Sequence, residues 1–122
     1  MREIKFRTYV RFLREMHEVR EMIVDKGTVM IDAYQYGLDR DDAPVMQFTG
    51  LKDVNGVEIY EGDIFNDGIA YCVIKWNADT ASFVSFDGDE NHEVGCYLKN
   101  ETIIGNIHQH PELLEGDKWL KN

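Results

Sequence analysis

The sequence predicts a mainly β protein arranged as a sandwich or small barrel, and three observations predict it. Beyond residue 46 the chain offers five or six short apolar runs at hairpin spacing, parted by Gly- and Asn-containing turns. Asn55-Gly56 is a strong hairpin signal, because both residue types accept the positive φ of a type I′ turn. Gly62 then interrupts the apolar run of Ile59-Tyr60 and Ile64-Phe65, as a bulge or sharp bend does where a small sheet turns a corner.

Taken in order, residues 3–7 alternate, with Ile4 and Phe6 on one face and Glu3, Lys5 and Arg7 on the other, which reads as a half-buried strand. Residues 9–23 fit two patterns. Tyr9, Phe12, Leu13, Met16, Val19 and Ile23 make a helical stripe, while 17–19 and 22–24 also read as short strands. Thr28–Ile31 is β-branched and strand-like after the turn at Asp25-Lys26-Gly27. The polar stretch Asp39–Pro44 is the expected seam, with Pro44 disfavouring helix at Ala43. Ile69–Trp76 has apolar groups on both faces and reads as a strand buried on both sides or at a barrel wall. Turns at 77–80 and 87–91 separate it from Ala81–Phe86 and Val94–Leu98, and Thr102–Ile107 forms the last strand, which His110-Pro111 stops. Three parts are expected: an N-terminal β subdomain at 1–44, a barrel at 45–110, and a tail or short helix at 111–122.

A chain of 122 residues with 43% hydrophobic content is one domain by size and can bury a core without staples. Thirteen basic against 23 acidic residues give a formal charge of −10, which repels nucleic acid and suits solubility or a basic partner. Arg7, Arg11, Arg14 and Arg20 lie close in sequence and read as a solvated face. Cys72 and Cys96 sit in apolar runs, as buried free thiols of a reducing compartment do. The N-terminus lacks a continuous apolar segment and no stretch reaches membrane-spanning length, so a cytosolic protein without membrane contact is expected.

Chemistry is sparsely signalled. Ser82 and Ser85 lie beside aromatics in a strand, not in a nucleophile elbow. Asp87–Asn91 opens like a calcium loop, but His92 stands where Gly is needed and Leu98 where Glu is needed. His108 and His110 share a strand face without a recognisable third ligand. Glu58, Glu61 and Asp63 read as solvent-facing carboxylates. No P-loop or dinucleotide fingerprint is present. No catalytic, cofactor-binding or metal-binding residue is therefore expected, and no cofactor.

The chain resembles the YopX family of small phage and prophage proteins. The likeness is carried by Met1–Arg7, by 46–53 (MQFTGLKD) with Asn55-Gly56, by 58–64 (EIYEGDI), by 104–107 (IGNI) and by 110–114 (HPELL). It implies a C-terminal part similar to an SH3-type barrel and an N-terminal β subdomain, with no activity to carry over. Gly50, Asn55, Gly56, Gly62 and Asp63 read as structural positions of turns and a bend. One interval departs from the family: Val10–Arg14 places Phe12 and Leu13 where a polar turn tip belongs. Either a helical turn replaces the tip or two apolar side chains stand exposed as a protein contact, unless they fold back into the core.

The expected role is a non-enzymatic interaction module that binds a protein partner of unknown identity or a second copy of itself, with Phe12 and Leu13 as the contact. The alternative is an acidic decoy that mimics nucleic acid toward a basic host protein, with acidic residues at 39–42, 58–63 and 87–93. A small hydrolase is the weakest reading.

Overall fold

The computed structural model describes residues 4–23, 28–31, 34–37, 44–94 and 101–115. The chain divides into two compact units, Met1–Phe48 and Thr49–Asn122. As the sequence predicts, the fold is mainly β.

In the first unit, β1 (Phe6–Val10) lies between β2 (Glu15–Glu18) and the start of β6 (Val45–Lys52), antiparallel to both. Strands β3 (Glu21–Ile23), β4 (Thr28–Ile31) and β5 (Tyr34–Gly37) form a separate antiparallel meander. The two patterns open to residues 9–23 resolve into strands and a turn, since pairing Tyr9 with Met16 and Thr8 with His17 gives these backbone groups a ladder. The first strand begins later than the alternation suggests: Ile4 is 72% exposed, and the ladder starts at Phe6 opposite Gln47. With a neighbour on each side, β1 buries Thr8, Tyr9 and Val10 in succession. The Pro44 carbonyl accepts from Thr8 Oγ1 (2.8 Å) and the Tyr9 N–H (3.3 Å). Residues 39–43 of the expected seam lie outside the described residues.

In the second unit, β7 (Glu58–Tyr60) precedes a five-stranded antiparallel sheet that curls into a half-barrel. Its order is β11 (Asn91–Glu93), β10 (Ser82–Phe86), β9 (Tyr71–Asn77), β8 (Asp63–Asn66), β12 (Gly105–Asn106). Ile59, Phe65, Cys72, Ile74 and Val94 form its core, with Phe83 and Ile103 packed against them. Cys72, Val73 and Ile74 are buried in succession, but Ile69 is 90% exposed in the turn before β9. The strand expected at Thr102–Ile107 shrinks to Gly105 and Asn106, paired with Ile64 and Asp63. A 3-10 turn at Pro111–Leu114 follows. Cys96, the rest of the run 95–98 and the tail 116–122 lie outside the described residues.

The 46–65 stretch does its work through backbone hydrogen bonds. Its hairpin is not the expected type I′ turn, for Gly56 (φ +82°) has positive φ and Asn55 does not. Instead the Gly56 N–H donates to the Asp53 carbonyl (3.0 Å) and the Asp53 N–H to the Val57 carbonyl (2.9 Å). This is a three-residue loop closed by a left-handed glycine. Asp53 is the reason: its Oδ1 accepts from the N–H groups of Asn55 and Val57, both at 2.9 Å, and its Oδ2 from that of Ile103 at 3.0 Å. Burial alone would raise its pKa, but these three donors (Ile103, Val57, then Asn55) outweigh that and hold the carboxyl below its ordinary 3.8. Gly62 (φ +85°) makes the expected bend between β7 and β8. Asp63, expected to face solvent, is instead 1% exposed, and its Oδ2 accepts the Tyr60 N–H at 2.8 Å. A bend that strips water from Tyr60 N–H needs an internal acceptor, and Asp63 is in reach.

Two outcomes test this account. Phe65→Ala, which empties the centre of the core, should cost about 3–5 kcal/mol in urea denaturation. Asp53→Asn turns one acceptor toward donors and should cost about 2 kcal/mol at pH 7. Because folding lowers the Asp53 pKa, its contribution is complete above the unfolded carboxylate value and is lost as pH falls through the folded one. Wild type and Asp53→Asn should therefore converge in stability on acidification from pH ~5 to ~2.5, a window set by ordinary carboxylate values.

Candidate functional site

The β1–β2 hairpin ends in a four-residue loop, Arg11–Arg14, closed by the Val10–Glu15 pair. The Leu13 N–H donates to the Val10 carbonyl and the Arg14 N–H to the Arg11 carbonyl, each at 3.2 Å. These bonds make a single helical turn, and Arg14 (φ +55°) reverses it into β2. A non-glycine residue in the left-handed region is uncommon, and here it sets the direction of the tip. At the root, Thr8 and Val10 are fully buried. At the apex, Phe12 is 91% exposed and Leu13 40%, flanked by exposed Arg11 and Arg14. Both alternatives read from the sequence hold together: a helical turn forms the tip, and the apolar side chains project from it rather than returning to the core. Leaving Phe12 in water forgoes roughly 1.5–3 kcal/mol of burial. On the edge strand below, His17 Nε2 lies 2.9 Å from Glu15 Oε1.

A second constellation escapes sequence reading, since its members come from separate turns of the half-barrel. Asp67 Oδ1 accepts from the N–H groups of Ile69 (2.8 Å) and Ala70 (2.9 Å), and the Cys72 thiol approaches Asp67 Oδ2 at 3.7 Å. Asp87 Oδ1 accepts from the N–H groups of Asp89 (2.8 Å) and Glu90 (2.7 Å), and its Oδ2 lies 3.1 Å from His92 Nε2. Burial works to raise the Asp67 pKa, but the Ala70, Ile69 and Cys72 donors lower it on balance, against the nearby negative charge of Asp87. The only signal available in sequence is the spacing Asp67-Gly68 and Asp87-Gly88, which marks turns and nothing more.

That cluster is built for turn closure. Each carboxylate spends one oxygen on two backbone N–H groups, so Asp87 closes a turn where the sequence offered the opening of a calcium loop. The Cys72 thiol is 1% exposed and donates toward a carboxylate, whereas a nucleophile needs thiolate and access. Among the described residues no three His, Cys, Asp or Glu side chains gather to hold a metal ion.

The two histidines do not share a strand face, because residues 107–109 form a turn. Asn106 organises it: its Oδ1 accepts from the N–H groups of His108 (3.1 Å) and Gln109 (2.9 Å), and its Nδ2 donates to Gln109 Oε1 (2.7 Å). His110 Nδ1 accepts the Asn106 N–H at 3.1 Å, and its ring lies so close to Gly105 that a Cβ there would sit 2.6 Å from Nδ1. Ser85 is 1% exposed, and Ser82 pairs with Thr80 at 2.9 Å. A shallow cleft of about 210 Å³ lies along Lys75, Trp76, Val84, Phe86 and Asn91. It is smaller than the ~300–1,000 Å³ of small-molecule sites, and the Lys75 ammonium already stands over the Phe86 ring at 4.5 Å. No described helix is long and apolar enough to cross a membrane.

Comparison with known proteins places the chain in a family. A search of curated proteins found no match. Among solved structures, the crystal structure of protein EF1440 from Enterococcus faecalis is similar at 27% identity and a TM-score of 0.73, covering 94% of this chain and all of that one. The YopX protein family model matches residues 5–115. The hairpin, the Asp53 loop, the Gly62 bend and the Asn106 turn all fall inside that span, and the chain belongs to the YopX family.

Proposed function

We propose that this protein is a non-enzymatic interaction module of the phage and prophage accessory type, which contacts a protein partner through the Arg11–Arg14 tip. One observation carries the reading: a Phe 91% exposed at the apex of a hairpin whose root is fully buried. An aromatic side chain between two arginines has the composition of an interface hot spot. The internal bonds of the turn fix its backbone before binding, which lowers the ordering cost of association. Asp53, Asp63, Asp87 and His110 are, by contrast, engaged in holding turns and a bend.

Charge distribution favours a second reading, the acidic decoy. Eight basic and nine acidic residues fall in 1–48, against five basic and fourteen acidic in 49–122, so almost all the net charge belongs to the second unit. A basic nucleic-acid-binding protein is the partner such a surface would occupy, and salt would release it.

Affinity capture from a bacterial lysate separates the readings. Phe12→Ser with Leu13→Ser should change stability by less than about 0.5 kcal/mol, as exposed positions do, yet abolish capture of the partner held by wild type. Capture that ignores this substitution and disappears at moderate salt supports the decoy instead. Turnover in a substrate screen would overturn both.

A further inference from the structure

We propose that the tip docks on the acidic 49–122 unit of a second copy of the same chain, closing a two-fold dimer. This inference rests on the reading of the tip as a protein contact and adds the identity of the partner surface. The hairpin of residues 4–20 carries Lys5, Arg7, Arg11, Arg14 and Arg20 against Glu15 and Glu18, and is a basic element in an acidic protein. Phe12 and Leu13 call for an apolar patch, and Arg11 and Arg14 for carboxylates around it.

The second unit offers that combination at the Asp53–Gly56 loop. Val54 and Val57 are 55% and 48% exposed there. Glu58 follows Val57 directly, and the Glu101 backbone carbonyl accepts the Val54 N–H at 3.3 Å, which sets the backbone of a second acidic residue beside the loop. Asp53 holds the loop backbone in place, so the apolar pair is presented on a fixed support.

Size favours a second copy over an unrelated partner. Stable interfaces bury about 1,200–2,000 Å² in total, more than one four-residue tip supplies. A closed two-fold pair makes the same contact twice, each chain giving one tip and receiving one. Charge favours it too: the acidic unit that repels a nucleic acid or an anionic membrane attracts the basic hairpin of its own kind.

The test is sedimentation equilibrium of the full chain, with protein and salt concentrations each varied over a tenfold range or more. Wild type should dimerise, with dissociation strengthened at least tenfold by salt. Arg11→Glu with Arg14→Glu should be monomeric, as should Glu58→Arg with Glu101→Arg, each with the circular-dichroism spectrum of folded wild type. Combining all four substitutions should restore the dimer, an outcome that a merely misfolded variant cannot produce. A wild type that stays monomeric overturns the inference, as does a dimer that either charge reversal leaves intact. A monomeric wild type that still captures another protein through Phe12 and Leu13 would sink the dimer alone. Loss of tip-dependent capture as well as of the dimer would sink the proposed function with it.

Discussion

The carboxylate of Asp53 ties together segments that sequence keeps fifty residues apart. Two of its bonds shape the loop between β6 and β7, and the third holds Ile103 in the strand-like return before β12. Ile103 in turn packs on the core of Ile59, Phe65, Cys72, Ile74 and Val94. Without that acceptor, three backbone donors near the core would lose their partners together. A charged acceptor serves here because several N–H groups converge on it, which offsets the cost of burying it.

The same device recurs through the second unit. Asp63 closes the Gly62 bend, Asp67 and Asp87 close the turns beside β9 and β11, and Asn106 closes the turn after β12. Part of the acidic composition of this unit is thus a consequence of building tight turns between short strands. The net charge of the unit gives it a field that a basic partner element would feel. Architecture and electrostatics are linked through one residue type.

The hairpin tip follows another logic. Its root is fixed by burial of Thr8 and Val10, and its apex by two backbone bonds and the reversed φ of Arg14. No part of that arrangement requires Phe12 to be apolar. The fold leaves the identity of that outward side chain open, and this is the ground for proposing the tip as a contact.

Sequence by itself determined the strand-rich fold class, the hairpin and bend of 46–65, the turns at 77–80 and 87–91 and the oddity of Val10–Arg14. These are local properties: backbone preference of Gly and Asn, alternation, and apolar runs with their own spacing. The choice between helix and hairpin for 9–23 was not set by periodicity, which fits both, but by the pairing of β1 with β2. Nor was the fate of the polar residues. Asp63 reads as a surface carboxylate and is buried, while His108 and His110 read as strand partners and lie in and beside a turn. Exposure of Phe12 was likewise a tertiary decision. The sequence named it as out of place, but only the pairing of Val10 with Glu15 and the helical turn between them pointed it into solvent.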